Sequence, residues 1–373
     1  MTTRLVLDGR LLHYNQTGIG RYLRHLYTAM ARVAAQDGLP ARAELIVAYH
    51  RKDQERSLAR AWPRAATTHT PAHHPLERWA LAAELIHLGP ALLHAPDHVC
   101  PQPLGWRTVL TVHDLAFWRM PHSHSVASRA YYSGLRRSAE QATRIICVSD
   151  ATRADLLGYT GISADKVRVV HEAADPVFAR AEAAPSRHAS ERQYFVMVGT
   201  IEPRKNVDTA VRAMAGLVAG RAADDRPELI VVGSDGVGAA ATKSLPDQLG
   251  IPGDVRFVGP QSAQEVAALY RGAQALLYPS LLEGFGLPIL EAMACGAPVI
   301  TSDRSSMAEV AGDAAALVDP EDVGSVEGAM RRVLDDGAFR DTLVQRGARR
   351  TAQFTWERAA RETLAVFAEA LES

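Results

Sequence analysis

The chain has 373 residues, 47% of them hydrophobic and 22% charged. That composition excludes a disordered chain, and the length exceeds what one hydrophobic core usually serves, so two domains are expected. No stretch approaches the roughly 20 apolar residues of a membrane span, and Met1-Thr2-Thr3-Arg4 runs straight into a strand pattern with no signal peptide, which predicts a cytoplasmic protein.

Cys100, Cys147 and Cys295 lack metal-type spacing and fit buried thiols in a reducing compartment. The net charge of -1 conceals an asymmetry. Residues 1–175 carry 21 Lys+Arg against 15 Asp+Glu, or +6, and the remainder carries 20 against 27, or -7. Thirteen of the 14 histidines also lie before the cut. Drift between two domains explains this, and so does a first half that meets an anionic acceptor or a membrane surface.

In chain order, Leu5-Val6-Leu7-Asp8 reads as a strand leading into Thr17-Gly18-Ile19-Gly20-Arg21-Tyr22, and a helical period follows through Leu23, Leu26, Tyr27, Met30 and Val33. A strand, a glycine loop and a helix start make a phosphate cradle; Gly18 and Gly20 equally suit a plain tight turn. Leu45 to Tyr49 is a second strand, Arg51 to Arg56 a solvated connection, and Thr67 to Pro75 a mobile loop. Ala91 to Pro96 and Thr108 to Leu115 read as buried parallel strands, whose carboxyl ends are where ligands sit in such sheets. His113 falls there, although a lone His after a strand is more often structural. Asp114 either orients that ring or caps the next segment. Residues 119–137 gather arginines, histidines, Tyr131 and Tyr132, partly as an amphipathic helix that is either a solvated face or a contact with an acceptor or membrane. After the strand Arg144 to Ser149, Ser149 or Asp150 caps a helix; no Gly-x-Ser-x-Gly elbow marks Ser149 as a nucleophile. Lys166 to Val170 closes the first sheet, and a linker runs from Asp175 to Gln193.

The alternation restarts with the strand Tyr194 to Gly199 and the turn Thr200-Ile201-Glu202-Pro203-Arg204-Lys205-Asn206. Arg204 and Lys205, beside a helix start, can pair with a diphosphate, though adjacent cations are also common on surfaces. Strands follow at Leu229 to Gly233, Val255 to Gly259 and Ala275 to Pro279. Next comes Glu283-Gly284-Phe285-Gly286-Leu287-Pro288-Ile289-Leu290-Glu291, a loop that becomes a helix. Gly284 and Gly286 let the backbone approach a bound group, Pro288 has its φ set for the first turn, and the N–H groups near Phe285 to Leu287 suit a phosphate. Glu283 and Glu291 are too far apart to share a proton, so they read as two separate hydroxyl-binding groups. A strand at Pro298 to Thr301, a capped helix at Ser305 to Glu309, a strand at Ala316 to Val318 and helices over 323–334, 338–352 and 356–371 complete the chain.

The two glutamates around Gly-Phe-Gly-Leu-Pro, with Met-Ala-Cys-Gly-Ala-Pro-Val behind them, resemble the signature of the retaining glycosyltransferases of family 4. Thr-Gly-Ile-Gly-Arg-Tyr, Val-His-Asp-Leu-Ala-Phe and Gly-Thr-Ile-Glu-Pro-Arg-Lys-Asn resemble other stretches of that family, so the likeness spans nearly the whole chain. It implies the α/β class and the GT-B fold: two Rossmann-like, doubly wound parallel-sheet domains facing across a cleft. Residues 1–180 would form the acceptor-side domain and 190–355 the nucleotide-sugar domain, with the helix over 356–373 crossing back onto the first.

The resemblance also implies roles. Arg204 and Lys205 would meet the diphosphate, Glu283 the donor sugar, His113 a sugar hydroxyl in the cleft, and Glu291 the ribose. Gly18 and Gly20 would lie over the donor phosphates, Gly284, Phe285, Gly286 and Leu287 would bind the donor, and the loops 234–236 and 259–261 would hold the base. The implied reaction transfers a hexosyl unit with retention, without a covalent nucleophile. No cofactor and no metal are expected, since the chain has no Asp-x-Asp. The three motifs look most like those of bacterial mannosyltransferases that build surface polysaccharides, which makes GDP-mannose the favoured donor and leaves UDP-sugars open. The partners implied are a nucleotide-sugar and a sugar, lipid-linked or small-molecule acceptor, with peripheral membrane contact through the basic half and no nucleic acid. Two rivals share the fold. A UDP-sugar 2-epimerase lacks this glutamate-spaced loop, and an inactive nucleotide-binding protein would be expected to have lost Glu283, Arg204 or Lys205.

Overall fold

The computed structural model describes residues 3–14, 18–62, 64–121, 131–179, 188 and 190–373. The chain divides into unit 1, Met1–Glu172 with Thr355–Ser373, and unit 2, Ala173–Phe354.

Unit 1 holds β1 (Arg4–Asp8), β2 (Glu44–His50), β3 (Ala65–Thr68), β4 (Leu92–Ala95), β5 (Arg107–Val112), β6 (Arg144–Cys147) and β7 (Val167–Val169). They pair in the order β3-β2-β1-β4-β5-β6-β7, every pair parallel. Val6 sits opposite both Ile46 and Leu93. Leu5, Val6, Leu7, Leu92 and Leu93 are fully buried, which is why these strands read as unbroken apolar runs rather than alternating ones. The winding reverses between β1 and β4, and such a reversal opens a crevice at the strands' carboxyl ends.

Two local readings of the sequence differ from the structure, and a third lies partly outside the described residues. Thr67 and Thr68 belong to the edge strand β3 instead of a loop; its Ala-Ala-Thr-Thr composition gives little apolar signal. Gly18 and Gly20 lie inside the first turn of helix α1 (Gly18–Asp37), not in a loop before it. Of the amphipathic reading over 119–137, residues 122–130, including His122, His124 and Arg129, lie outside the described residues. Helix α2 (Glu77–Leu85) precedes that region and helix α3 (Leu135–Gln141) follows it. Ser149 does cap its helix, its Oγ accepting from the Thr152 N–H at 3.0 Å.

Unit 2 repeats the plan with β8 (Tyr194–Val198), β9 (Glu228–Val232), β10 (Val255–Gly259), β11 (Ala275–Tyr278), β12 (Val299–Ser302) and β13 (Ala316–Val318), paired in parallel as β10-β9-β8-β11-β12-β13. Its winding reverses between β8 and β11. The carboxyl ends of β8 and β9 approach so closely that a Cβ on Gly233, at φ +151°, would stand 1.9 Å from the Gly199 carbonyl oxygen. Helices α4 (Leu287–Ala294) and α5 (Ser305–Ala311) follow β11 and β12. The expected side-chain cap on α5 is absent: Arg304 occupies the cap position without capping, and the Ser305 and Ser306 hydroxyls turn elsewhere.

The last helix, α6 (Trp356–Glu372), belongs to unit 1, where it packs on α1 and over β4, β5 and β6. Its start is set by Thr355, whose hydroxyl accepts from the Arg358 N–H at 3.1 Å. Ala359, Ala360, Thr363, Phe367 and Ala370 recur at helical spacing on its buried face. The Phe367 ring lies 5.3 Å from that of His94. Burial depresses the His94 pKa to about 3, so a neutral imidazole is held between Tyr27 Oη (2.8 Å) and Thr111 Oγ1 (2.9 Å). Among the described residues no helix is long and apolar enough to cross a membrane. Phe367→Ala is expected to destabilise unit 1 by about 3–5 kcal/mol, read by calorimetry as a lowered transition; an unchanged transition would show that α6 is dispensable to that core.

Candidate active site

Three of the residues singled out from sequence meet at the β8–β11 reversal in unit 2. The turn after β8 carries Arg204 and Lys205, and the loop after β11 carries Glu283. Arg204 Nη1 donates to Glu283 Oε2 at 2.6 Å, and Lys205 Nζ donates to Oε1 at 2.7 Å. Arg204 also pairs with Glu202 (Nε to Oε1, 3.1 Å) and donates from Nη1 to the Leu282 carbonyl at 3.1 Å. Lys205 Nζ lies 3.0 Å from Tyr278 Oη.

All of this is held by backbone geometry that strand patterns do not reveal. Asn206 adopts a left-handed conformation, φ 57°, which Asn tolerates better than most residues, and its amide donates to the Pro279 (3.0 Å) and Pro320 (2.7 Å) carbonyls. The Leu281 N–H reaches the Arg204 carbonyl at 2.8 Å. Ser305 and Ser306 both donate to the Glu283 carbonyl at 2.9 Å. The glutamate is thus fixed at both ends.

Glu283 is buried, 8% exposed. Burial alone would raise its pKa, but the Arg204 and Lys205 cations outweigh burial and hold the carboxyl down at about 2. Burial draws the Lys205 ammonium below its ordinary range, opposed by Glu283. The cluster is therefore a charged, internally paired one.

Gly284 to Leu287 connect Glu283 to the start of α4. Gly286, at φ +105°, caps that start in a conformation that disfavours a side chain, and Pro288 fills the first turn. Glu291 lies one turn further along α4 and is buried.

His113, Gly18 and Gly20 belong to unit 1. Tyr22, one turn beyond the glycines, meets the His113 ring edge-on with centroids 4.7 Å apart. His113 Nε2 donates to the Pro96 carbonyl (3.0 Å), and Nδ1 lies 3.1 Å from Glu172 Oε1. Glu172, not Asp114, orients the ring; Asp114 caps the next turn by accepting from the Ala116 N–H at 3.0 Å. Nothing local in the sequence singles out Glu172 or Tyr278. Asn206 stood inside a quoted motif without a role.

Residues 17–178 match the family described as Glycosyltransferase Family 4, and residues 179–350 match Glycosyl transferases group 1. The chain is 31% identical over 280 residues to the O-antigen chain mannosyltransferase B of Escherichia coli, with 73% of each protein covered. It belongs to the glycosyltransferases. A second relative from Escherichia coli, the serotype-specific mannosyltransferase WbdA, is 27% identical over 278 residues; the match covers 72% of this glycosyltransferase and 34% of WbdA, so it spans about a third of that relative's length. Among solved structures, sucrose-phosphate synthase from Thermosynechococcus elongatus superposes with a TM-score of 0.77 over 99% of both chains at 21% identity. That likeness makes the fold of this glycosyltransferase GT-B.

Because the folded Glu283 carboxyl sits below its ordinary 4.5, it stabilises unit 2 above that pH, and the contribution is lost as pH falls toward 2. Urea unfolding is expected to show a loss of roughly 3 kcal/mol across this window. Glu283→Gln should start less stable and decline less steeply in acid; parallel declines would show that the carboxylate is not held by the two cations.

Proposed function

We propose that this glycosyltransferase moves a hexosyl unit, mannose in the first instance, from a nucleotide-diphosphate sugar to an acceptor hydroxyl with retention at the anomeric carbon, in bacterial polysaccharide or glycoconjugate synthesis. The observation that carries the reading is the Arg204–Lys205–Glu283 cluster beside the start of α4. When the sugar–phosphate bond breaks, negative charge gathers on the departing diphosphate. Two fixed cations beside the start of α4 suit that charge, and they are organised before the substrate arrives.

Each Glu283 oxygen accepts one of these two bonds, and a carboxylate offers about four lone-pair sites. Glu283 therefore accepts sugar hydroxyls while still bonded to Arg204 and Lys205, fixing the donor at the end opposite its leaving group. In this reading Glu291 holds the ribose and His113, oriented by Glu172, faces a sugar hydroxyl. The family likeness assigns Gly18 and Gly20, at the start of α1, a part in the same reaction. The departing phosphate takes the acceptor's proton, and no metal is required. GDP-mannose is favoured as donor on the motif likeness and on the names of the relatives.

A ligand that binds only the folded state raises the melting temperature, so a panel of GDP, UDP, ADP, TDP and their sugars tests the donor. Stabilisation by GDP and GDP-mannose, of about 3 kcal/mol when ligand is in hundredfold excess over Kd, is the expected outcome. Stabilisation by UDP compounds alone would replace the donor and keep the reaction. Glu283→Ala and Lys205→Ala are each expected to cut transfer roughly a hundredfold or more with the fold intact; near-normal rates from either would overturn the site.

A further inference from the structure

Lysine carries its charge on a flexible four-carbon stem, yet the structure holds Lys205 along its whole length. The stem lies against Gly199, where a Cβ would stand 3.1 Å from Cε and 3.2 Å from Cδ; at φ +150° the backbone there also disfavours a side chain. The ammonium meets Glu283 Oε1 at 2.7 Å and Tyr278 Oη at 3.0 Å. An ammonium has three donors. Among the described residues the third meets no acceptor.

Tyr278 is the last residue of β11 and is 1% exposed. Its carbonyl accepts from Thr301 Oγ1 of β12 at 2.9 Å, and the next carbonyl, of Pro279, accepts from the Asn206 amide, so the backbone beneath the ring is fixed. The ammonium lies 5.2 Å from the ring centre and much nearer the oxygen, so the contact is with the hydroxyl rather than the ring face. Burial first, and then the Glu283 charge, push the phenol well above its ordinary range, so it stays protonated and neutral. That neutrality matters. A second carboxylate in this place would fix the ammonium but cancel charge that the site needs, and a phenylalanine would leave the ammonium swinging on one bond. A neutral oxygen fixes the head group and leaves its charge intact.

We propose that Tyr278 is a positioning residue: with Glu283 it takes two of the three Lys205 N–H bonds and so presents the third to the departing diphosphate. The proposal rests on the glycosyl-transfer reading above and adds to it a residue that acts through Lys205.

GDP is the probe, since it bears the full charge that the leaving group acquires; UDP replaces it should UDP be the nucleotide that stabilises the chain. Binding to the full chain is measured by calorimetry for the parent, Tyr278→Phe, Lys205→Ala and the double variant, from neutral to alkaline pH. Phenylalanine keeps the ring and its packing and removes only the oxygen. Tyr278→Phe is expected to weaken binding roughly fivefold, and Lys205→Ala roughly tenfold or more. The double variant should bind no more weakly than Lys205→Ala, because the phenol then has nothing to position. The pH dependence separates positioning from packing. Burial draws the Lys205 pKa down against the pull of Glu283, with Arg204 adding to the fall and Glu202 opposing it; removing an acceptor of the charged form draws it further down. Tyr278→Phe should therefore lose the nucleotide at a lower alkaline pH than the parent does, a shift that a purely structural role would not produce. Parent-like affinity with an unshifted alkaline limb in Tyr278→Phe overturns the proposal, as do additive losses in the double variant. Parent-like binding by Lys205→Ala overturns the diphosphate reading itself, so the two failures are told apart.

Discussion

A single carboxylate set against two cations is the interaction on which the candidate site depends. Glu283 comes from the end of β11, Arg204 and Lys205 from the end of β8, and these two strands are neighbours because the winding reverses between them. Buried charges persist only when paired and hydrogen-bonded, and removing one partner strands the others. The sheet topology and the site are therefore one construction. Asn206 serves both, since the left-handed turn that aims the cations also ties them to the strand end carrying their counter-ion.

The two sheets were legible because parallel strands covered on both faces are written as continuous apolar runs, as in Leu5 to Leu7 or Leu276 to Tyr278. The GT-B fold was legible through the motifs between those runs. What sequence spacing does not carry is pairing across distance. Arg204 and Glu283 are 79 positions apart and His113 and Glu172 are 59 apart. Neither pair leaves a local trace. The start of α5 shows the opposite failure: Ser305 and Ser306 have the composition of a cap, yet their hydroxyls go to the Glu283 carbonyl, a demand that outweighed the local preference. Strand β3 escaped notice because an edge strand of alanine and threonine has no apolar run to announce it.

The two units pair their buried charges in the same way. At β8–β11, Glu202 and Glu283 balance Arg204 and Lys205, so both cations are already paired. In unit 1, at and past the ends of β1, β3 and β4, Asp8, Glu77 and Asp97 are likewise paired internally, by Arg10, His73 and His98. The first arrangement keeps a charged cluster rigid.

Helix α6 has a consequence for the way this protein is made. Unit 2 is continuous in the chain, whereas unit 1 needs residues 356–372, which follow all of unit 2. A ribosome therefore releases every part of unit 2 before it releases the helix that covers the α1 face of unit 1. The usual order, in which the amino-terminal domain completes its fold first, is inverted here. Until α6 has been made, unit 1 waits with the apolar surface that this helix covers exposed, and that nascent form is the one that a chaperone would meet.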